Sequence, residues 1–331
     1  MRAFIFPGQG SQAVGMGAAL AAASPTARAV FQEVDDALGQ HLFRLMVDGP
    51  DRDLMLTQNA QPAIMANAIA TLRVLEVEGN VRLAAKCAFV AGHSLGEYSA
   101  LCAAGAFGLG TTARLLKLRG RAMQAAVPVG VGAMAALLGA TIDSATALAA
   151  AAAEGEVCSV ANDNDPGQVV LSGHIAAIDR AIALVKEHGI KRGIILPVSA
   201  PFHCPLMQPA ADAMADALAT HPPTAPLVPL YANVTAAPVA DPAIIAALLI
   251  EQVTGRVRWR ESVAAMAAAG VTQTVEFGGK VLSPMVKRTA PDVDAVSVMT
   301  MDDIEVVASL RAERSNPGRF ARLWIASLRS Q

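Results

Sequence analysis

A sharp strand-to-helix turn around Ser94 constrains this chain more than any other sequence feature. The pentapeptide Gly-His-Ser-Leu-Gly at 92–96 follows the apolar run 87–91 and precedes a run typical of a helix, 97–106. Glycines on both sides of the serine permit the close approach of strand and helix that such a turn requires. The serine is left exposed at the tip, where the first N–H groups of the helix face an oxyanion formed on a substrate. The sequence therefore predicts an acyl-enzyme on Ser94.

Composition and charge exclude several classes of protein. The chain has 331 residues, of which 53% are hydrophobic and 16% charged, enough for a large core. Its apolar runs near 145–153 and 244–250 are shorter than the roughly 20 residues of a membrane span, and its apolar start is too short for a signal peptide. A net charge of −2 gives no general attraction to nucleic acid. We therefore expect a cytoplasmic protein that binds neither membrane nor nucleic acid.

The cysteines indicate no metal or redox chemistry. They are scattered along the chain and form no C-x-x-C pair: Cys87, Cys102, Cys158 and Cys204. Because zinc ribbons and dithiol redox sites need closely spaced pairs, this spacing favours buried or inert thiols. We therefore expect neither a metal site nor a cofactor held by these residues.

Strands that alternate with helices predict an α/β fold with a parallel sheet. A first strand at 2–6 ends in the loop 7–12, and later strands are predicted at 228–233 and 273–277. Helical patterns are found at 25–39, 59–78, 110–125 and, near the end, 318–328, where the helix is expected to pack on the body of the protein.

The pattern changes between residues 128 and 198. It becomes strand, helix, strand, strand, helix, strand, which is the ferredoxin-like order. The predicted elements are 132–138, 144–154, 157–162, 168–173, 176–188 and 191–197, with a turn at 162–167 between the middle strands. Asp163 and Asp165 in that turn would weaken the binding of an anionic substrate if they faced the cleft. We predict a small domain at 128–198 inserted into a discontinuous larger domain, 1–127 and 199–331.

A serine hydroxyl needs a base that removes its proton. His203 lies in a loop between Pro201 and Pro205, which suits a rigid site, although a surface histidine is the alternative. His93 adjoins Ser94, but neighbours across such a turn point in different directions, so a structural role is favoured. No Asp or Glu has a distinctive setting as a third member. A dyad oriented by a backbone carbonyl or an amide is equally allowed.

Two further features fit acyl transfer, each with a plainer alternative. The glycine-rich loop 8–10 would place a backbone N–H near Ser94, with the N–H of Leu95 as the second oxyanion donor, unless it is an ordinary turn. Arg119 lies on the next predicted helix, and an arginine can hold a carboxylate through two parallel hydrogen bonds. The alternative is a solvated cationic helix face, formed with Arg114, Lys117 and Arg121.

Taken together, the motifs resemble those of the malonyl-CoA:acyl carrier protein transacylases. They are Phe6-Pro7-Gly8-Gln9-Gly10-Ser11-Gln12, the turn 92–97, Arg119-Gly120 followed by Met123-Gln124, Asn162 followed by Asp165-Pro166-Gly167-Gln168, Pro201-Phe202-His203, Val257-Arg258-Trp259 and Glu276-Phe277-Gly278. The resemblance extends from residue 2 to about residue 288, and the set is far more specific than any one motif. The chain departs from the family at 278–280, where Gly-Gly-Lys replaces the usual Gly-Pro-Gly, and its tail from Pro291 matches no family motif.

The resemblance implies roles for individual residues. Ser94 would carry the acyl group and His203 would be its base, oriented by the backbone carbonyl of Gln252. Arg119 would bind the free carboxylate of the malonyl group. The backbone N–H groups of Gln9 and Leu95 would be the oxyanion donors. Phe202 would select malonyl over bulkier groups, and Asn162 would make a further substrate contact.

The resemblance also implies a fold, a reaction and partners. The fold would be an α/β-hydrolase-like core with a ferredoxin-like insert. A monomer without metal or cofactor would transfer malonyl from malonyl-CoA to the phosphopantetheine thiol of acyl carrier protein, for fatty acid synthesis. Because carrier proteins are acidic, the basic pairs 191–192 and 287–288 are candidate docking sites, with solvated surface charge as the alternative.

Three other functions remain open at this stage. An esterase-type hydrolase would use the same turn but would not need Arg119 in the pocket. A transacylase of another pathway, such as polyketide synthesis or a malonate decarboxylase system, would share every catalytic residue. A non-catalytic binding protein would never acylate Ser94.

Overall fold

In the described part of the chain, two β-sheets, of six and four strands, form the framework. The computed structural model describes residues 1–198 and 200–313. The strands, numbered in chain order, are β1 (Arg2–Phe6), β2 (Phe89–Gly92), β3 (Gly132–Leu138), β4 (Cys158–Asp165), β5 (Gln168–His174), β6 (Arg192–Ile195), β7 (Leu230–Ala232), β8 (Ala237–Val239), β9 (Gln273–Phe277) and β10 (Asp294–Val298).

Helices pack around both sheets. In chain order they are α1 (Ala18–Ala23), α2 (Pro25–Leu38), α3 (Leu42–Asp48), α4 (Asp51–Leu54), α5 (Thr57–Val77), α6 (Leu83–Lys86), α7 (Leu95–Ala103), α8 (Leu109–Ala125), α9 (Ile142–Ala153), α10 (Ile175–Leu184), α11 (Gln208–Thr220), α12 (Pro242–Thr254), α13 (Trp259–Ala268), α14 (Leu282–Thr289) and α15 (Met301–Glu313), with a short 3₁₀ helix at Pro205–Met207. Local signals explain several starts: Ser24 caps α2, Thr141 caps α9 and Asp241 caps α12 through side-chain oxygens that accept backbone N–H bonds. None of the helices in the described part of the chain combines the length and apolar character that crossing a bilayer requires.

The larger sheet has the strand order β10-β9-β1-β2-β7-β8, and all its pairs are parallel except β7 with β8. Its central strand, β1, is buried on both faces. Phe4 and Phe6 join one apolar cluster, and Ala3 and Ile5 join another on the opposite side. A parallel sheet covered on both faces is typical of α/β proteins, so the predicted α/β fold with a parallel sheet is confirmed.

The smaller sheet is antiparallel, with the order β4-β5-β3-β6. Its elements follow one another as strand, helix, strand, strand, helix, strand between residues 132 and 195. Helices α9 and α10 pack on it through a separate apolar cluster, which includes Leu137, Leu148, Leu171 and Ile178. The sheet therefore has a core of its own.

The predicted turn at 162–167 is wrong, because β4 continues to Asp165 and only residues 166 and 167 form the turn. Asp163 and Asp165 are buried in this strand. Their carboxylates form ion pairs with the guanidinium groups of Arg260 and Arg288, each with an N–O distance of 2.7 Å. These ion pairs connect the small sheet to α13 and α14. Because both carboxylates are paired, they add no free negative charge to the cleft.

The end of the described chain belongs to the larger sheet. Strand β10 pairs in parallel with β9 at its edge, and α15 follows. The predicted helix at 318–328 lies outside the described residues. The chain beyond residue 288 therefore contributes to the α/β fold as far as residue 313.

Glu276 is expected to be a large contributor to stability, because its carboxylate caps α14. The two oxygens accept bonds from the backbone N–H groups of Val281, Leu282 and Ser283 at 2.8–2.9 Å, and from the Ser283 hydroxyl at 2.8 Å. In Glu276→Gln an NH₂ group faces these donors, so we expect a loss of roughly 3 kcal/mol in urea unfolding. The exposed Glu33→Gln should change stability by less than about 0.5 kcal/mol. A similar small change in both variants would contradict the capping role.

Candidate active site

The turn at Ser94 is tightly built and strained. Ser94 has φ 53° and ψ −110°, between the end of β2 and the start of α7. A Cβ on Gly92 would lie 1.9 Å from the backbone of Gly96, and one on Gly96 would lie 2.2 Å from the carbonyl oxygen of Phe6. Only glycine fits at either position. Backbone strain at a half-buried serine between a strand and a helix is typical of a functional turn.

Asn233 holds this strained turn in place. Its Oδ1 accepts the backbone N–H of Ser94 at 2.8 Å, and its Nδ2 donates to the carbonyl of Gly92 at 2.7 Å. The side chain is buried just after β7, the strand beside β2. The sequence does not single out this residue, because an asparagine at a strand end becomes informative only once the order of strands is known.

His203 lies against the nucleophile. The Ser94 hydroxyl is 2.7 Å from His203 Nε2, and the ring's Nδ1 is 2.8 Å from the backbone carbonyl of Gln252. Because a carbonyl can only accept, Nδ1 carries the proton and Nε2 presents a lone pair to the hydroxyl. Burial above all, and the nearby Arg119 cation, lower the pKa of His203 to about 3. The imidazole is therefore neutral near pH 7 and ready to accept a proton.

Arg119 is buried beside the same hydroxyl. Its Nη2 donates to Ser94 Oγ at 3.1 Å and to Gln252 Oε1 at 2.8 Å, and its Nη1 donates to Gln61 Oε1 at 2.9 Å. All three acceptors are uncharged, and Nε has no partner among the residues described. A buried cation with only neutral acceptors attracts an anion from the substrate.

The alternative interpretation, a solvated cationic helix face, is therefore wrong for two of the four basic residues. Arg114 and Arg121 are exposed, whereas Arg119 and Lys117 face inward. The Lys117 ammonium donates to Gln40 and Asn59 side chains, away from the nucleophile. Burial lowers its pKa to about 8. The sequence pattern alone does not distinguish the exposed pair from the inward-facing pair, since all four residues are basic.

A cavity of about 260 Å³ opens onto the serine. Its lining includes Ser94, His203, Arg119, Gln9, Leu95, Phe202 and Asn162. The structure thus brings seven of the eight predicted site residues to one cavity wall, and the eighth, Gln252, lies behind it in contact with His203 and Arg119. Leu95 is the first residue of α7, so its N–H belongs to the first turn, whose N–H groups have no intrahelical acceptor.

His93 lines the cavity, but its ring contacts lie with residues other than the nucleophile. Its Nε2 lies 2.8 Å from Asn164 Oδ1, and its ring packs edge-on against Trp259 with centroids 5.9 Å apart. These contacts join the turn to β4 of the small sheet. They match the structural role that the sequence favours for this histidine.

Glu97 is a second buried residue beneath the site that the sequence assigns no role. It is 1% exposed, and its Oε2 accepts a hydrogen bond from Gln252 Nε2. Burial raises its pKa to about 8, while the bonds from Gln252 and Asn233 and the nearby Arg119 lower it. Glu97 ends the recognised motif 92–97, but as the third residue of α7 it resembles an ordinary acidic residue of a helix's first turn.

The four cysteines are free thiols, of which Cys158 is half-buried and the others are buried. Within residues 1–198 and 200–313, no group of three or more His, Cys, Asp or Glu side chains is placed to hold a metal ion. Burial raises the pKa of each cysteine, to about 12 for Cys87 and about 11 for Cys102 and Cys158. Thiols with such values stay protonated and unreactive near pH 7.

Comparison with known proteins places the chain among acyltransferases. The family model described as the acyl transferase domain matches residues 3–324. The malonyl CoA-acyl carrier protein transacylase of Escherichia coli K12 is 43% identical over 308 residues, which are 93% of this chain and 97% of that protein. The family match extends well beyond residue 288, where the recognised motifs end.

Solved structures agree with these relatives. The crystal structure of an acyl-carrier-protein S-malonyltransferase from Bartonella henselae is 50% identical, with a TM-score of 0.91 over 93% of this chain and 98% of that one. A malonyl-transacylase solved with its type II polyketide acyl carrier protein, PlMCAT with AntF, is 38% identical, with a TM-score of 0.89 over 93% of this chain and 99% of that one.

Proposed function

Because the chain belongs to the malonyl CoA-acyl carrier protein transacylase family of acyltransferases, we propose that it carries a malonyl group on Ser94 between coenzyme A and acyl carrier protein. It is an S-malonyltransferase that serves fatty acid synthesis. The position of the Ser94 hydroxyl is the strongest support for malonyl transfer through this serine. Ser94 Oγ lies 2.7 Å from His203 Nε2 and 3.1 Å from Arg119 Nη2, between a base and a carboxylate anchor.

Acylation begins with the hydroxyl of Ser94. His203 Nε2 takes the hydroxyl proton as Oγ attacks the thioester carbonyl of malonyl-CoA. The negative charge that develops on the carbonyl oxygen is stabilised by the backbone N–H groups of Leu95 and Gln9, both on the cavity wall. When the tetrahedral intermediate collapses, His203 returns the proton to the departing coenzyme A thiolate. The malonyl group is left as an ester on Ser94.

Transfer reverses these steps with a second thiol. The phosphopantetheine thiol of acyl carrier protein gives its proton to His203 and attacks the malonyl ester. Apolar side chains around the cavity limit the access of water, which would otherwise hydrolyse the ester. They include Met123, Met134, Leu196, Val198 and Phe202. All acid–base and electrostatic steps use groups of this chain, so we propose no cofactor beyond the phosphopantetheine of the partner.

Arg119 recognises the free carboxylate of the malonyl group in this scheme. The substrate anion replaces neutral acceptors around a guanidinium that is already desolvated, so the new charge-assisted bonds are strong. Phe202 and Asn162 line the same cavity and would limit the size of the acyl group. An acetyl group makes none of the carboxylate bonds.

Arg119→Ala is therefore expected to change selectivity. Loss of two charge-assisted hydrogen bonds should lower kcat/KM for acylation by malonyl-CoA roughly 100-fold or more, with a much smaller effect on acetyl-CoA. Competition between the two thioesters, followed by mass spectrometry of the acylated protein, measures the ratio. The exposed Arg121→Ala, on the same helix, is the matched control. An equal loss with both thioesters would rule out carboxylate recognition.

The hydrolase alternative is tested by the fate of the acyl group. We expect malonyl-CoA to convert holo acyl carrier protein to its malonyl form much faster than malonate is released. Both products can be followed in one reaction by chromatography. Release of malonate at the same rate with and without carrier protein would identify a thioesterase and overturn the proposed function.

The finer architecture is also proposed. We infer an α/β-hydrolase-like domain from 1–127 and 199–331, with a ferredoxin-like domain at 128–198 inserted. The parallel sheet with a strand–serine–helix turn supports the first, and the order β4-β5-β3-β6 with α9 and α10 supports the second. We also propose the cytoplasm as the compartment, where the chain would meet malonyl-CoA and carrier protein.

The surface that docks acyl carrier protein remains a proposal. Of the two basic pairs, 287–288 is the weaker candidate, because Arg288 is already paired with Asp165. The pair 191–192 is exposed at the start of β6. We propose this second pair as the contact with the acidic partner.

A further inference from the structure

We propose that Glu97 is a positioning residue for acylation: by holding the side-chain amide of Gln252 in one of its two orientations, it keeps Arg119 beside Ser94. The inference rests on the proposed function and deepens it, because it adds a residue that governs malonyl selectivity without touching the substrate. Glu97 is 1% exposed, and the reaction scheme assigns it no proton transfer. A buried carboxylate beneath a nucleophile is costly unless its hydrogen bonds serve a purpose.

Gln252 connects every part of the site. Its backbone carbonyl accepts from His203, and its Oε1 accepts from Arg119 Nη2 at 2.8 Å. Its Nε2 donates to the carbonyl of Ser94 at 3.0 Å and to the Glu97 carboxylate. The side chain is fully buried, so these protein groups determine how the amide is oriented.

The two orientations of the amide are not equivalent. In the observed one, both N–H bonds of Nε2 meet acceptors and Oε1 meets a cation. If the amide turned over, its oxygen would face two acceptors and its NH₂ group would face the Arg119 guanidinium. Repulsion from the Arg119 guanidinium and the Ser94 carbonyl therefore disfavours the second orientation, and Glu97 stabilises the first by accepting a hydrogen bond from Nε2.

Glu97 contributes more to this choice than the Ser94 carbonyl does. The Ser94 carbonyl already accepts the backbone N–H of Glu97 at 3.0 Å, as part of the first turn of α7. A further acceptor near Nε2, Asn233 Oδ1, is 3.5 Å away and already accepts the backbone N–H of Ser94. The terminal torsion of a glutamine is broad and roughly two-fold, so these shared acceptors restrain it weakly. Without the Glu97 acceptor, the amide can turn and Arg119 loses the partner that directs Nη2 to Ser94.

The role of Glu97 requires an acceptor atom and does not require a negative charge. A carboxyl group offers an acceptor oxygen to Gln252 in either protonation state. Burial raises the pKa of Glu97, which makes a neutral acid compatible with this role. Glutamine at the same position retains an acceptor oxygen, whereas methionine has a similar length and lacks a strong acceptor.

The test compares Glu97→Gln with Glu97→Met by the ratio of acylation by malonyl-CoA to acylation by acetyl-CoA. Because both rates come from the same folded molecules, the ratio is independent of how much protein is active. We expect Glu97→Met to lower the ratio at least 10-fold, mainly through a higher KM for malonyl-CoA, and Glu97→Gln to stay within about 3-fold of wild type. In the Arg119→Ala background, Glu97→Met should lower the ratio no further, because the two residues act through one interaction.

An unchanged ratio in Glu97→Met, even with a lower overall rate, would overturn the proposal and leave Glu97 a purely structural residue. A further loss in the Arg119→Ala background would also contradict it. If Glu97→Met does not fold, Glu97→Asp replaces it: the shorter side chain keeps a carboxyl group but withdraws it from Gln252, and the ratio should again fall. Failure of the proposed function is distinct, because wild-type protein would then either form no malonyl ester or release it as malonate without passing it to the carrier protein.

Discussion

Ser94→Ala is expected to lower malonyl transfer by about 10⁴-fold or more, to the level left by binding alone. Among residues 1–198 and 200–313, it is the Ser94 hydroxyl that the strained turn places against both His203 and Arg119. Incubation with malonyl-CoA, proteolysis and mass spectrometry should find the ester on the peptide that contains Ser94 in wild type and no ester in the variant.

A matched control for this experiment lies on α7. Ser99 is buried and its hydroxyl has no partner in the described residues, so Ser99→Ala removes a hydroxyl without disturbing a hydrogen bond. That variant should transfer malonyl at a rate close to wild type. Persistent malonyl labelling of Ser94→Ala at another residue would show that the nucleophile lies elsewhere.

His203→Ala should slow both acylation and transfer by roughly 10²- to 10⁴-fold, the usual contribution of a positioned general base. Each half-reaction needs the same imidazole, once to accept a proton and once to return it. The exposed His221→Ala is the control and should leave both rates unchanged. Single-turnover acylation and chase with carrier protein measure the two halves separately. A loss confined to one half would contradict the shared role.

The pH dependence of wild-type acylation follows from the same histidine. The neutral ring is the active form, and its folded pKa is lowered to about 3. Protonation therefore begins only far below the ordinary pKa of histidine, and kcat/KM should stay level from about pH 7 to about pH 5. A fall in kcat/KM centred near pH 6.5 would show that the free enzyme holds His203 in a more solvated state.

Local patterns were sufficient to predict much of the framework. Strands β1, β3 and β9 have the bounds that the sequence indicates, because apolar runs there end at glycine, proline or polar residues. Strand β4 does not, because a run of Asn and Asp is typical of a turn. Its carboxylates become acceptable in a buried strand only through Arg260 and Arg288, which lie 97 and 123 residues further along the chain.

The site also contains residues that local sequence predicts and residues that only the tertiary structure reveals. The turn at Ser94 is encoded in five consecutive residues, whereas Gln252 contributes a backbone carbonyl that any residue could supply. The resemblance to the transacylases was therefore needed to single it out. Asn233 and Glu97 were missed because their partners are set by the packing of β7, α7 and α12. Hydrogen-bond partners brought together by tertiary structure leave no periodic trace in the sequence.

The central claim is that Ser94 holds malonyl on its way from coenzyme A to a carrier protein. The most direct test mixes wild-type protein with malonyl-CoA, records the intact mass, and then adds holo acyl carrier protein. We predict a single malonyl adduct that disappears as the carrier gains the same mass. No adduct, or an adduct removed at the same rate by buffer alone, would contradict the account.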